Sequence, residues 1–329
     1  MRNERSRIGS MLLAVLLGCA VTFPAAAQTA DLWAVAGDAA GAVAVGSGGR
    51  VLFAGAGHAT FLPAEIPAIT ADLRGCAYVE ASLYYAVGDA GTILKSTGPT
   101  GAAFAAEASG VGADLYAVAA LQSRVVAVGT GGAIVRSAAL SGGGWTVVSA
   151  PVAATLRGVA GTGVASVAVG EEGVVLRGDP AGSTWAEVED VPGTGAALHA
   201  VAALADGRFV AVGAAGTVLR ALADGQTWTL MPAPAEVDLY GVAERPGAIQ
   251  VIVVVGAGGA IYTSSDAGGS WQAALSGVAR TLRGVVYTGA DFLATGDHGT
   301  LLRSLDGTVW ADQTPAEDST WGAIKNRWR

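Results

Sequence analysis

Cysteine is almost absent from this chain of 329 residues, which has only Cys19 and Cys76, and histidine occurs three times. His58, His199 and His298 lie too far apart for ligand spacing, so neither a metal centre nor a cofactor is expected. Charge is also scarce, with 14% charged residues against 52% hydrophobic ones, and the balance is acidic, at a net charge of −8. Such a surface repels nucleic acid, which is bound through a basic footprint. Beyond residue 30 no uninterrupted apolar run reaches the roughly 18 residues of a membrane helix. The most apolar stretch, Val251-Ile-Val-Val-Val255, has the length of a core strand. Nor does any segment there carry the 3.6-residue apolar period of a helix. Gly256-Ala-Gly258-Gly259 follows an apolar strand but lacks the third glycine and the following helix of a dinucleotide loop.

Glycine, by contrast, is abundant, with 49 residues, and it is periodic. A glycine closing a short apolar run recurs at Gly46, Gly88, Gly129, Gly170, Gly213, Gly256 and Gly296, at steps of 40 to 43 residues. A leucine precedes each by 14 to 17 residues (Leu32, Leu73, Leu115, Leu156, Leu198, Leu239, Leu282), and an aromatic follows by 14 to 16 (Phe61, Phe104, Trp145, Trp185, Trp228, Trp271, Trp310). Within each unit, β-branched runs punctuated by Gly, Ser and Asp predict four short strands. The second and third are joined by Gly-x-x-Gly, whose glycines are expected to supply the positive φ of a tight hairpin. Seven units of about 42 residues predict an all-β, seven-bladed β-propeller with four antiparallel strands per blade. Blades are expected to start near residues 31, 72, 114, 155, 197, 238 and 281 of one domain spanning 28–329. A closed ring covers both faces of every sheet, which accounts for so apolar a composition.

The two ends differ from the repeats. Arg2, Arg5 and Arg7, the apolar run Met11–Leu17 and Ala25-Ala26-Ala27 before Gln28 read as a secretory signal over residues 1–27, cleaved to leave an exported, periplasmic chain. Its removal would leave 16 basic and 26 acidic residues, a net charge of −10. The rival reading is a lipoprotein signal acylated at Cys19. Cys76 stands where other units have valine and reads as a small apolar side chain. The segment 314–329 ends in a stretch, 320–329, that is basic and carries Trp321 and Trp328. Trp321-Gly322 echoes the start of a first strand and could close the ring, or the segment could touch a membrane surface or a partner.

Ser264-Ser-Asp266-Ala-Gly268-Gly-Ser-Trp271 matches the Asp-box of bacterial neuraminidase repeats, and Ser304-Leu-Asp306-Gly-Thr-Val-Trp310 matches it one residue short. The Asp is expected to accept backbone N–H bonds within its own turn, and the Trp to fill space between sheets. The whole unit resembles the repeats of the photosystem II assembly and stability factor family and its non-photosynthetic relatives. Leu73-Arg-Gly-Cys76 with Ala86–Ser96, and Leu282-Arg-Gly-Val285 with Thr295–Ser304, carry the resemblance best. It implies an exported, non-catalytic propeller that binds protein partners, such as a membrane complex under assembly.

The residue after each landmark leucine is large and polar or aromatic: Trp33, Arg74, Tyr116, Arg157, His199, Tyr240 and Arg283. With the first strand innermost, these side chains are expected to ring one mouth of a central channel, bordered by Asp89, Glu171, Glu172, Asp297 and His298. Such a ring suits an acidic or planar group, a peptide carboxylate or a sugar. Large side chains capping each blade against solvent would give the same pattern. Two other functions stay open, a neuraminidase-like glycoside hydrolase and a lectin-like sugar-binding module. The hydrolase needs an arginine triad, a tyrosine nucleophile with a Glu partner, and an acid. Arg74, Arg157, Arg283 and Tyr116 or Tyr240 are present, but no Asp or Glu is expected on an inner strand.

Overall fold

A computed structural model describes residues 30–314 apart from 81, 82, 99 and 194. The expected signal, the rival acylation site at Cys19 and residues 315–329 lie outside the described residues.

Seven four-stranded antiparallel sheets follow one another along the chain, each built from consecutive strands in simple order. The first strands are Leu32–Asp38, Leu73–Tyr78, Leu115–Leu121, Leu156–Gly161, Leu198–Ala203, Leu239–Arg245 and Leu282–Tyr287. Each packs on the first strand of the next blade, and the last packs on the first, so the ring is closed. No strand is exchanged between blades among the described residues.

The core lies between the sheets. Seven hydrophobic clusters each span two neighbouring blades, one per seam. Second strands such as Gly41–Gly46 and Val251–Gly256 are buried along their whole length, because they have a strand on either side and a blade against either face. This is why they read as continuous apolar runs instead of alternating. The landmark leucines are at most 1% exposed, so truncating one to Ala would cost about 2–5 kcal/mol.

The Gly-x-x-Gly turns correct one expectation. Positive φ falls on their third and fourth residues, as at Ala90 (53°) and Gly91 (70°), while the leading Gly88 is extended at −168°. The leading glycine is required by proximity instead. A Cβ on Gly88 would lie 1.9 Å from the Asp72 carbonyl oxygen, and the corresponding distance at Gly46 is 1.8 Å, to the Asp31 oxygen.

Candidate functional site at the channel mouth

That close approach belongs to a β-bulge. In all seven blades the pairing of first and second strands slips between the landmark leucine and the residue two positions on, as between Leu73 and Gly75. The skipped residue is the ring residue every time. A bulge leaves its extra residue outside the ladder and re-aims the side chain, here toward the axis. Trp33, Arg74, Tyr116, Arg157, His199, Tyr240 and Arg283 all line a single cavity of about 520 Å3 at the face that carries the second-to-third-strand turns. Behind them the wall is small. A Cβ on Gly158 would lie 3.1 Å from the Ala200 Cα, and one on Gly284 3.1 Å from the Ala34 Cα, so neighbouring inner strands leave no room for larger residues at the axis.

The ring side chains hold one another. The Arg74 guanidinium lies over the Trp33 ring (4.6 Å) and the Tyr116 ring (5.3 Å), and Arg157 covers Tyr116 at 4.9 Å. Arg283 lies over Tyr240 (5.5 Å), which stacks on His199 with centroids 4.8 Å apart. Each arginine is also paired with an acid of its own blade's turn. Arg74 Nε donates to Asp89 Oδ1 and its NH2 donates to Oδ2 at 3.0 Å; Arg157 NH2 donates to Glu171 Oε1 (2.5 Å), and Arg283 Nε donates to Asp297 Oδ1 (2.5 Å). The hydrogen bond from Arg157 holds the Glu171 carboxyl below its ordinary range. Burial lowers the pKa of His199, whose Nδ1 lies 2.9 Å from the Leu239 carbonyl oxygen and donates to it. Of the expected bordering residues, Asp89, Glu171 and Asp297 are thus the arginines' partners, while Glu172 and His298 are exposed turn residues with φ of 59° and 56°.

Sequence reasoning missed a second set of carboxylates. Asp31, Asp72, Asp114 and Asp238, each directly before a landmark leucine, accept the N–H of a turn residue in the preceding blade, at 2.8–2.9 Å from His298, Gly48, Ala90 and Ala215 respectively. The recurrence of Asp at that offset was the available signal. Two further acids, Asp38 and Glu244, do lie on inner strands, contrary to expectation, but at the end away from the ring. Cys76 is partly buried among apolar residues of the seam between blades 1 and 2, and burial pushes its thiol pKa up, away from reactivity.

The turns that carry Asp266 and Asp306 are closed by their own hydrogen bonds. Asp266 Oδ1 accepts from Ser264 Oγ (2.7 Å) and Ser270 N (2.8 Å), and the Gly268 N–H donates to Ser264 Oγ (2.8 Å). Asp306 Oδ1 accepts from Thr308 N (2.8 Å) and Val309 N (3.2 Å), and Ser304 Oγ closes the turn by accepting from Gly307 N (2.9 Å). These bonds hold both carboxyls at about 2, led by the Ser270 hydroxyl for Asp266 and the Thr308 N–H for Asp306. Trp310 is 8% exposed in the seam between blades 6 and 7, and its Nε1 donates to the Gly307 carbonyl oxygen (2.9 Å). Trp271 packs against the seam between blades 5 and 6 and donates to the Pro232 oxygen at 3.1 Å. Blade 4 hides a third such turn. Asp179 accepts from the N–H of Ala181, Ser183 and Thr184, and only Gly182 and Trp185 marked it in sequence. Among the described residues no metal-binding cluster and no membrane-length helix occurs.

No family model and no curated protein matches the chain. Solved structures do. YCF48 bound to D1 peptide is similar with a TM-score of 0.68 at 19% identity, covering 84% of this chain and 92% of that one. YCF48 from Cyanidioschyzon merolae gives 0.65 at 16%, covering 84% and 96%, and the WD40 β-propeller domain of Doa1 gives 0.64 at 13%, covering 83% and 92%. At these identities the likeness is one of fold, and the fold it defines is the seven-bladed propeller seen here.

Proposed function

We propose that this chain is an exported, non-catalytic propeller scaffold that binds a protein partner through the ringed channel mouth. One observation carries the reading: seven bulged side chains converge on one cavity, in a wall otherwise built of small residues. That YCF48 has been solved with a peptide supports a polypeptide ligand for a propeller of this shape. The guanidinium groups are fixed by stacking and by their carboxylate partners, so they present oriented donors at little ordering cost. The same stacking places guanidinium groups over the rings of Trp33, Tyr116 and Tyr240, which weakens the sugar-binding alternative. For the hydrolase alternative, the only acid lining the ring cavity among the described residues is Asp31, and the acids beside the arginines are engaged in ion pairs.

The test replaces Arg74, Arg157 and Arg283 together by Gln in protein recovered from the extracytoplasmic fraction, where the chain should begin near Gln28. Removing each charge-assisted hydrogen bond to the ligand should cost about 1.5–3 kcal/mol of affinity. Capture of a polypeptide partner should therefore disappear. Stability should change by only about 1 kcal/mol per arginine, because these partly exposed ion pairs contribute little. Undiminished capture by the triple variant would dismiss the ring as the binding site.

A further inference from the structure

At the end opposite the ring, the channel opens into a second cavity of about 760 Å3, formed by the last residues of first strands and the turns that follow them. It meets the ring cavity at Val242 and Val285, so the two are ends of one channel. Their charges are opposite. The ring cavity is lined by three arginines and Asp31, whereas the lining of the lower cavity includes Asp38 and Glu244 and, among the described residues, no Lys or Arg.

The sixth residue of each first strand shows where the repeat is broken. It is small in four blades, as Gly37, Ala120, Gly161 and Ala203, but Tyr78, Glu244 and Tyr287 in blades 2, 6 and 7. A small residue satisfies the fold at this register in four blades; Tyr78 and Tyr287 also pack into the seams, against Tyr84 (ring centroids 5.5 Å apart) and Phe292 (4.9 Å). All three large residues line the cavity. The two carboxylates are also held in place. Asp38 Oδ1 accepts from Ala40 N (3.0 Å) and Gly41 N (3.1 Å). Glu244 Oε2 accepts across the seam from Ala205 N (2.6 Å), and its Oε1 accepts from Gln250 Nε2 (2.5 Å).

We propose that the lower cavity binds an organic cation, the guanidinium or ammonium group of a basic side chain or of a small polyamine. Fixed carboxylates supply charge-assisted hydrogen bonds, and tyrosine rings supply an electron-rich face for a cation. The cavity has the size of an ordinary ligand site. This site is independent of the ring, so it can fail without touching the reading of the mouth, and the reverse holds too.

Titration of the full chain by saturation-transfer NMR tests it, at about 0.1 M salt so that loose surface attraction is screened. The probes are Nα-acetyl-arginine amide, Nα-acetyl-lysine amide and spermidine, with neutral Nα-acetyl-glutamine amide as control. The cations should bind saturably and the glutamine amide should not. Glu244→Gln and Asp38→Asn should each weaken cation binding about tenfold. Glu187→Gln, an exposed acid on an outer strand, should leave it unchanged. Asp38→Asn keeps an acceptor for its two N–H donors, so it serves as the test if Glu244→Gln fails to fold. Either order of preference between spermidine and the amino-acid amides supports the site and identifies its source of cation. Equal affinity in both cavity variants, equal binding of the glutamine amide, or no saturable cation binding up to about 10 mM would overturn it.

Discussion

Gly88, at the buried end of a second strand, and Gly98, in a bend after a third strand, differ sharply in what surrounds the place of the missing Cβ. At Gly98 nothing lies within 4 Å, whereas at Gly88 the Asp72 carbonyl oxygen would be 1.9 Å away and the backbone would have to move. Gly88→Ala should therefore destabilise by about 3 kcal/mol or more, as severe overpacking does. Gly98→Ala should stay within about 0.5 kcal/mol, and urea denaturation of the two variants checks both. The position of Gly88 was legible in the sequence, because seven copies of one signal outweigh local ambiguity. Its reason was not. A bulge is a property of register, and the letters Leu-Arg-Gly do not say that Arg74 will be skipped by the ladder. The ring residues were visible for the same cause, as a large side chain that follows the landmark leucine in every inner strand. Their pairing with Asp89, Glu171 and Asp297 depends on how far each turn folds back, which only the structure shows.

Among the elements, the turn between third and fourth strands behaves as a small closed unit. Asp306 accepts two N–H groups and the Thr308 hydroxyl, bonds that no water-filled loop would keep in place. Asp306→Ala should cost about 1–2 kcal/mol near neutral pH. Because the folded carboxyl is held at about 2, below its unfolded value, this contribution is present above about pH 4 and is lost as pH falls toward 2. The gap in urea midpoint between wild type and variant should narrow accordingly as the pH is lowered through that window. A gap independent of pH would assign the loss to packing instead of the charge. The equivalent turn at Asp179 was hidden because Gly178 stands where the other two have Ser264 and Ser304, and because Asp179 lies six residues before its Trp, against five at Asp266 and four at Asp306.

Across the whole molecule, one seam among the described residues holds a fully buried ion pair. Where blade 7 meets blade 1, His58 Nδ1 lies 2.9 Å from Asp291 Oδ1, with both side chains fully buried, and His58 Nε2 lies 2.9 Å from the Asp38 carbonyl oxygen. Asp291 Oδ2 accepts from Arg303 Nε (2.5 Å), and Thr288 Oγ1 donates to Oδ1 (2.6 Å). Burial alone would raise the Asp291 pKa, but the bonds from Thr288 and Arg303 and the nearby charges hold it down. Asp291→Asn should destabilise by about 3–5 kcal/mol, the effect of removing one partner from a buried charged group. Hydrogen exchange should then quicken first in blades 1 and 7; uniform quickening would show that this seam is no weaker than the others. No sequence signal announced the pairing of His58 with Asp291, since the two lie 233 residues apart and outside the repeat.

That seam also settles a question of identity among near-identical parts. Blades that all carry the same apolar flank are interchangeable, and a molecule made of interchangeable wedges can join its last wedge to the first wedge of another copy and grow into an open chain. A buried acid whose match lies on blade 1 makes that neighbour distinguishable from blades 2 to 6. It works as an address for blade 1; a second copy carries the same address, so closure on the same molecule rests on the short reach within one chain.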